Sequence, residues 1–202
     1  MTANKIRPPG RPRSFDVDHA LETAIRLFQS RGYDAVGVAE LVRELGIKPP
    51  SFYAAFGSKA GLLRKAFDLY SAGDANVFER ARDQGGSVAE VIERTLANAA
   101  RLYPQSKGLA GCLVLDGTRN SSDPEARMLT ANAKQTSYDQ LRKFIASEYP
   151  ERAPELARLL TIGLTGMSAA ARDGATRADL EAFSSTFGAA IRREMKPTPA
   201  GS

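Results

Sequence analysis

The stretch Gly46–Lys59, GIKPPSFYAAFGSK, decides the fold. Two adjacent prolines open a run of six or seven residues with helical spacing, and Gly57 closes it. Proline is excluded from a helix interior, but the first-turn N–H groups have no intrahelical partner, so Pro49 and Pro50 lose nothing there. Their restricted φ pre-orders a helix too short to form alone. Phe52 and Phe56 stand four apart on one face and are expected to pack inward. Ser51 and Ala55 lie on another face, small enough for close approach to a partner. Ser58 is the N-cap of the next helix.

Helical spacing continues on both sides. Val17, Leu21, Ala24, Ile25 and Phe28 recur every three to four residues, with Asp16 as N-cap and Gly32 beyond the C-terminus. Val38, Leu41, Val42 and Leu45 mark a second, short helix that Gly46 stops. After Ser58, Leu62, Leu63, Ala66, Phe67 and Tyr70 mark a long fourth helix, expected to run to about Asp83–Gly86. Two short helices joined at a glycine, behind a longer one, predict a helix-turn-helix whose second helix enters the DNA major groove. On that reading Tyr53 offers a hydroxyl to a phosphate. The first N–H groups after Ser58, with Lys59, form a phosphate-binding corner.

The rest of the chain is also helical. Stripes at Val88–Leu102, a short piece in 108–117, a helix capped by Asp123 with Pro124 at its first position, and stripes at Leu156–Met167 and Leu180–Ile191 bring the total to about nine helices. No strand hairpin and no repeat is legible, so the fold class is all-α. Residues 196–202 read as a frayed tail.

Charge divides the chain unevenly. Residues 1–67 hold eleven Lys/Arg against six Asp/Glu, and residues 68–202 hold seventeen of each. A basic N-terminal third on a neutral body suits a polyanion-binding head, although a basic tail kept for solubility gives the same count. The first thirteen residues, with four prolines and glycines among four basic side chains, read as a flexible arm. It is either a solvated tail or an insertion into the minor groove. No apolar run approaches the length of a membrane helix and no secretory signal is recognisable, so a cytoplasmic protein is expected. A single cysteine, Cys112, rules out an internal disulfide, and a single histidine, His19, rules out a His-rich metal site. Cys112 sits in an apolar context and is read as a buried thiol, with a redox or metal sensor as the alternative. The chain carries no nucleotide-binding, zinc-protease or serine-hydrolase motif, and neither enzyme activity nor a cofactor is expected.

The run Phe15–Phe67 resembles the DNA-binding domain of the TetR family of bacterial transcriptional regulators. The matching features are Ala24-x₃-Phe28, Gly32-Tyr33, Val38-x-x-Leu41, Leu45-Gly46-Ile47, Phe52-Tyr53-x-x-Phe56, Ser58-Lys59 and Leu62-Leu63. The resemblance implies that Lys48, Pro49, Pro50 and Ser51 form the leading turn of a recognition helix. It also implies that Tyr53 and Lys59 meet phosphates, and that Arg11 and Arg13 belong to a DNA-reaching arm. The chain departs from the family where Val36-Gly37 replaces the usual Thr-Ser and Lys48 replaces a capping Ser or Thr. The cap of the second helix is therefore weaker, the recognition helix lacks a side-chain N-cap, and few polar groups, chiefly Lys48 and Ser51, remain at the tip to read bases.

The family pattern further implies an arm (1–13), a DNA-binding domain (14–67) and a helical effector-binding and dimerisation domain (68–195). The partners would be a double-stranded DNA operator, a second copy of the chain and a small apolar or amphipathic effector that releases a repressor. Leu96, Leu102, Tyr103, Leu109, Cys112, Leu113 and Tyr138 are the candidate pocket lining. Leu160, Gly163, Leu164, Met167, Leu180, Phe183, Phe187 and Ile191 are the candidate dimer face, unless these stripes complete the subunit's own core. The alternative function is a helical ligand-binding or scaffold protein whose helix-turn-helix is not used for DNA.

Overall fold

The computed structural model describes residues 16–105, 109–118 and 120–195. Arg11, Arg13 and the tail beyond residue 195 lie outside them. The described residues form ten α-helices and no strand. These are α1 (Val17–Arg31), α2 (Val38–Glu44), α3 (Pro49–Phe56), α4 (Lys59–Ala72), α5 (Val77–Arg82), α6 (Val88–Leu102), α7 (Leu113–Asp116), α8 (Pro124–Ile145), α9 (Ala153–Arg172) and α10 (Arg177–Glu194).

Local chemistry accounts for the boundaries. Asp16 accepts from His19 N to cap α1, and Ser87 and Glu90 form a capping box on α6, as Thr176 and Asp179 do on α10. Gly37 and Lys48, ahead of α2 and α3, make no side-chain cap. Gly46 (φ 64°) and Gly57 (φ 72°) turn the chain through the left-handed region that other residues avoid.

One boundary departs from the sequence reading. The helix expected to run unbroken from Ser58 to Asp83 is two helices. At Gly73 the backbone becomes extended, and Asn76 then caps α5 through Glu79 N while its amide donates to Ser71 O at 3.0 Å. Apolar spacing survives the break because Val77, Phe78 and Ala81 are themselves buried.

Helix α6 is the centre of the larger layer, with α5, α9 and α10 packed on it, while α8 packs on α9 and α4. This arrangement determines what α9 and α10 have left to offer. Leu160, Leu164, Met167, Leu180 and Ile191 are buried inside the subunit. Gly163 is buried too, and a methyl group on it would collide with the Phe187 ring, so the glycine allows α10 to lie close on α9. The apolar groups left facing outward include Ile162 (63% exposed) and Phe183 (41%), whose ring stacks on Phe187 at 5.1 Å. Most of the stripe named for dimerisation therefore completes the subunit core.

Candidate nucleic-acid interface

Ala24 and Phe28 of α1 form a fully buried floor with Leu41, Phe52, Leu62 and Leu63 from α2, α3 and α4. The Arg31–Glu40 ion pair ties the end of α1 to α2. On α3 only Phe52 and Phe56 are buried, their rings 5.4 Å apart. The opposite side is open: Lys48, Pro49, Pro50, Ser51 and Ala54 are exposed, and Tyr53 is 52% exposed. The two prolines occupy the first turn of α3, as their position in the sequence predicts. Ser58 caps α4 by accepting from Gly61 N at 2.9 Å.

The structure engages Lys59 inside the chain. Its Nζ lies 3.9 Å from the centroid of the Tyr33 ring, a cation–π contact. The Tyr33 hydroxyl donates to Asp123 Oδ2 at 2.7 Å. Asp123 Oδ1 meanwhile caps α8 by accepting from Glu125 N and Ala126 N. Beside it, Asp34 accepts from the Ser121 hydroxyl, from Ser122 N at 2.7 Å and from Ser122 Oγ at 3.0 Å. Tyr33 N donates to Gly117 O at 3.0 Å.

These contacts explain the local titration behaviour. Burial pushes the Lys59 ammonium below its ordinary pKa, against the pull of Asp34 and Asp123. Burial also pushes the Tyr33 phenol up, helped by its bond to Asp123. The bond from Tyr33 holds Asp123 below the usual carboxylate range, and the bonds from Ser121 and Ser122 do the same for Asp34. Tyr33 and Asp34 thus tie the helix-turn-helix to the loop before α8. Nothing local marks this in the sequence, since the partners are about 90 residues apart.

The larger layer holds a cavity of about 90 Å³ between α4, α5, α7 and α8. Of the candidate pocket residues, Tyr103 and Cys112 line it. The remaining lining differs: Tyr70 and Ser71 of α4, Asn76, Val77 and Phe78, Ser137, Gln140 and Leu141 of α8, and Leu164 are prominent in it. Leu96 is instead buried against α10 beside Gly188, and Leu113 is buried in α7. Leu102 faces a separate groove with Arg101, and Leu109 is half-buried off the cavity. Tyr138 turns to α9, donating to Pro154 O at 3.3 Å beneath Arg158. Helical spacing marks which face is inward, but it does not mark which inward side chains leave a gap. Burial raises the pKa values of the Tyr70 and Tyr103 phenols and of the Cys112 thiol. None of the residues lining the cavity carries a formal charge.

A short, proline-opened helix exposed along one side and set on a three-helix floor defines a helix-turn-helix protein. Residues 20–66 match the family described as bacterial regulatory proteins, tetR family. The HTH-type transcriptional repressor BdcR of Escherichia coli (strain K12) is 38% identical over 192 residues, spanning 95% of this chain and 97% of its own. The repressor ComR of the same organism is 31% identical over 181 residues, spanning 83% and 84%. Among solved structures, a cysteine mutant of the TetR family regulator CifR, complexed with 26-base-pair operator DNA, superposes with a TM-score of 0.79. It is 29% identical and spans 89% of this chain and 99% of that one. The chain belongs to the TetR family of bacterial transcriptional regulators.

Proposed function

We propose that this regulator is a repressor that binds operator DNA through α3 as a homodimer and is released by a small effector bound in the α4–α5–α7–α8 cavity. Residues 14–67 then form the DNA-binding domain and 68–195 the effector and dimer domain, working in the cytoplasm. No helix among the described residues is long and apolar enough to cross a membrane, and the relatives above are transcriptional regulators rather than enzymes.

The observation that carries the reading is the exposed edge Lys48–Ser51 and Tyr53 on a helix whose other face is anchored by Phe52 and Phe56. CifR, similar over almost its whole length, is bound to operator DNA in its solved structure. Four of the five excess positive charges of residues 1–67 fall on Lys5, Arg7, Arg11 and Arg13, which supports assigning phosphate contacts to the arm. The exposed apolar side chains of Ile162 on α9 and Phe183 on α10 support a second copy packing across these helices in a four-helix arrangement. The uncharged cavity lining supports a neutral effector.

The test is binding to the promoter fragment beside the chain's own gene, compared with a scrambled duplex, across a salt series. Saturable preference for the promoter is expected. Tyr53→Phe should weaken it, and deleting residues 1–13 should lower the salt slope by about 0.9 for each phosphate that the arm neutralises. Equal affinity for both duplexes would instead favour a ligand-binding protein whose helix-turn-helix is not used for DNA.

A further inference from the structure

Lys65 lies on α4 and is not among the residues to which the sequence assigns a DNA contact. Its Nζ reaches back to donate to Ala55 O at 3.1 Å and stands 5.7 Å from the centroid of the Phe56 ring. Ala55 is in the last turn of α3, where carbonyl groups have no intrahelical partner and the helix dipole favours a cation.

Beyond its buried Phe52 and Phe56, little holds this helix. It has eight residues, no side-chain N-cap, and packs chiefly on α2 and α4. At its C-terminal end Gly57 N closes on Tyr53 O at 2.8 Å. The first turn of α4 presses so close that a methyl group on Gly61 would collide with Phe56 O. Lys65 adds a charged hydrogen bond across the same junction. Further along α4, Tyr70 and Ser71 line the cavity. One rigid helix therefore carries both the cavity wall and the group that grips the end of α3.

We propose that Lys65 is a positioning residue for the recognition helix, setting the tilt of α3 on α4 through Ala55 O, and is not a phosphate ligand. The proposal rests on the operator-binding reading above. A cation that grips α3 acts on the fit to a particular sequence, because only the matched duplex demands one tilt. A cation that meets a phosphate acts on every duplex and adds to the number of ions released.

The experiment uses the full chain and a duplex that the wild-type protein enriches from a randomised pool, with a scrambled duplex of equal length beside it. K65M is expected to weaken binding to the enriched duplex about ten- to a hundredfold, the range for removing one charge-assisted hydrogen bond. Its salt slope and its affinity for the scrambled duplex should match wild type, and its melting midpoint should stay within a few degrees. K65R, which keeps a cationic donor, should recover most of the deficit. Equal weakening on both duplexes with a slope lower by about 0.9 would make Lys65 a phosphate ligand and overturn the proposal. Unchanged binding to both duplexes would overturn it as well. Failure of the wild type to enrich any duplex would remove the operator-binding reading, and the proposal with it.

Discussion

The Tyr33 hydroxyl donates to Asp123 Oδ2 at 2.7 Å, joining the turn after α1 to the N-cap of α8 across 90 residues of chain. The same carboxylate caps α8 through its other oxygen. A movement of α8, which lines the cavity through Ser137, Gln140 and Leu141, therefore pulls on the residue that carries Lys59 on its ring. Tyr33→Phe removes the hydroxyl and leaves the ring. It should destabilise the chain by about 1–3 kcal/mol, since the deleted bond has a charged acceptor. In a double-mutant cycle with Asp123→Ala in denaturant unfolding, strict additivity would mean that the bond contributes nothing.

Asp34 and Asp123 both have depressed carboxyl pKa values, chiefly through hydrogen bonds from Ser121 and Tyr33 respectively. A depressed folded-state value stabilises the chain above the ordinary carboxylate pKa of about 4, and that stability disappears as pH falls through the lower folded value. The melting midpoint of wild type should therefore fall more steeply below about pH 4 than that of Asp34→Asn, which has no proton to take up at this position. Parallel curves would remove Asp34 from the linkage.

Gly163 faces the Phe187 ring with no room for a methyl group. Gly163→Ala should cost about 1–3 kcal/mol through overpacking. The same change should cost clearly less in a Phe187→Ala background, where the obstructing ring is gone. An equal cost in both backgrounds, measured by thermal unfolding, would locate the strain elsewhere.

Pro49 and Pro50 fill the first turn of α3. Replacing either by Ala restores unfolded-state freedom and should lower stability by about 0.4–1 kcal/mol. A stability gain on calorimetry would show that the prolines strain the turn rather than pre-order it.

Cys112 is the chain's single cysteine, buried beside the cavity with a thiol pKa raised by burial. Reaction with a disulfide reagent at neutral pH should be at least about tenfold slower in the native chain than after denaturation. A native rate equal to the denatured one would show that the cavity opens freely to solvent.

The helix-turn-helix was legible because its determinants are local. Apolar spacing at three and four residues, Asp16 and Ser58 as caps, prolines confined to a first turn, and Gly32, Gly46 and Gly57 at helix ends each act within a few residues. The weaker cap at Gly37 and the missing one at Lys48 were legible for the same reason. The break at Gly73 escaped because periodicity records the direction of a face, and the faces of α4 and α5 agree.

Sequence alone therefore determined the order of helices, the recognition turn and which side of each helix is apolar. Tertiary structure decided which group each polar side chain meets. Lys59 lies on Tyr33, Tyr33 bonds Asp123, Lys65 grips Ala55, and Leu160, Leu164 and Met167 fill the subunit core. The physical reason is range. Backbone hydrogen bonds and caps are settled among neighbours in the chain, whereas cavities, cation–π contacts and shared carboxylates arise only where distant segments pack together.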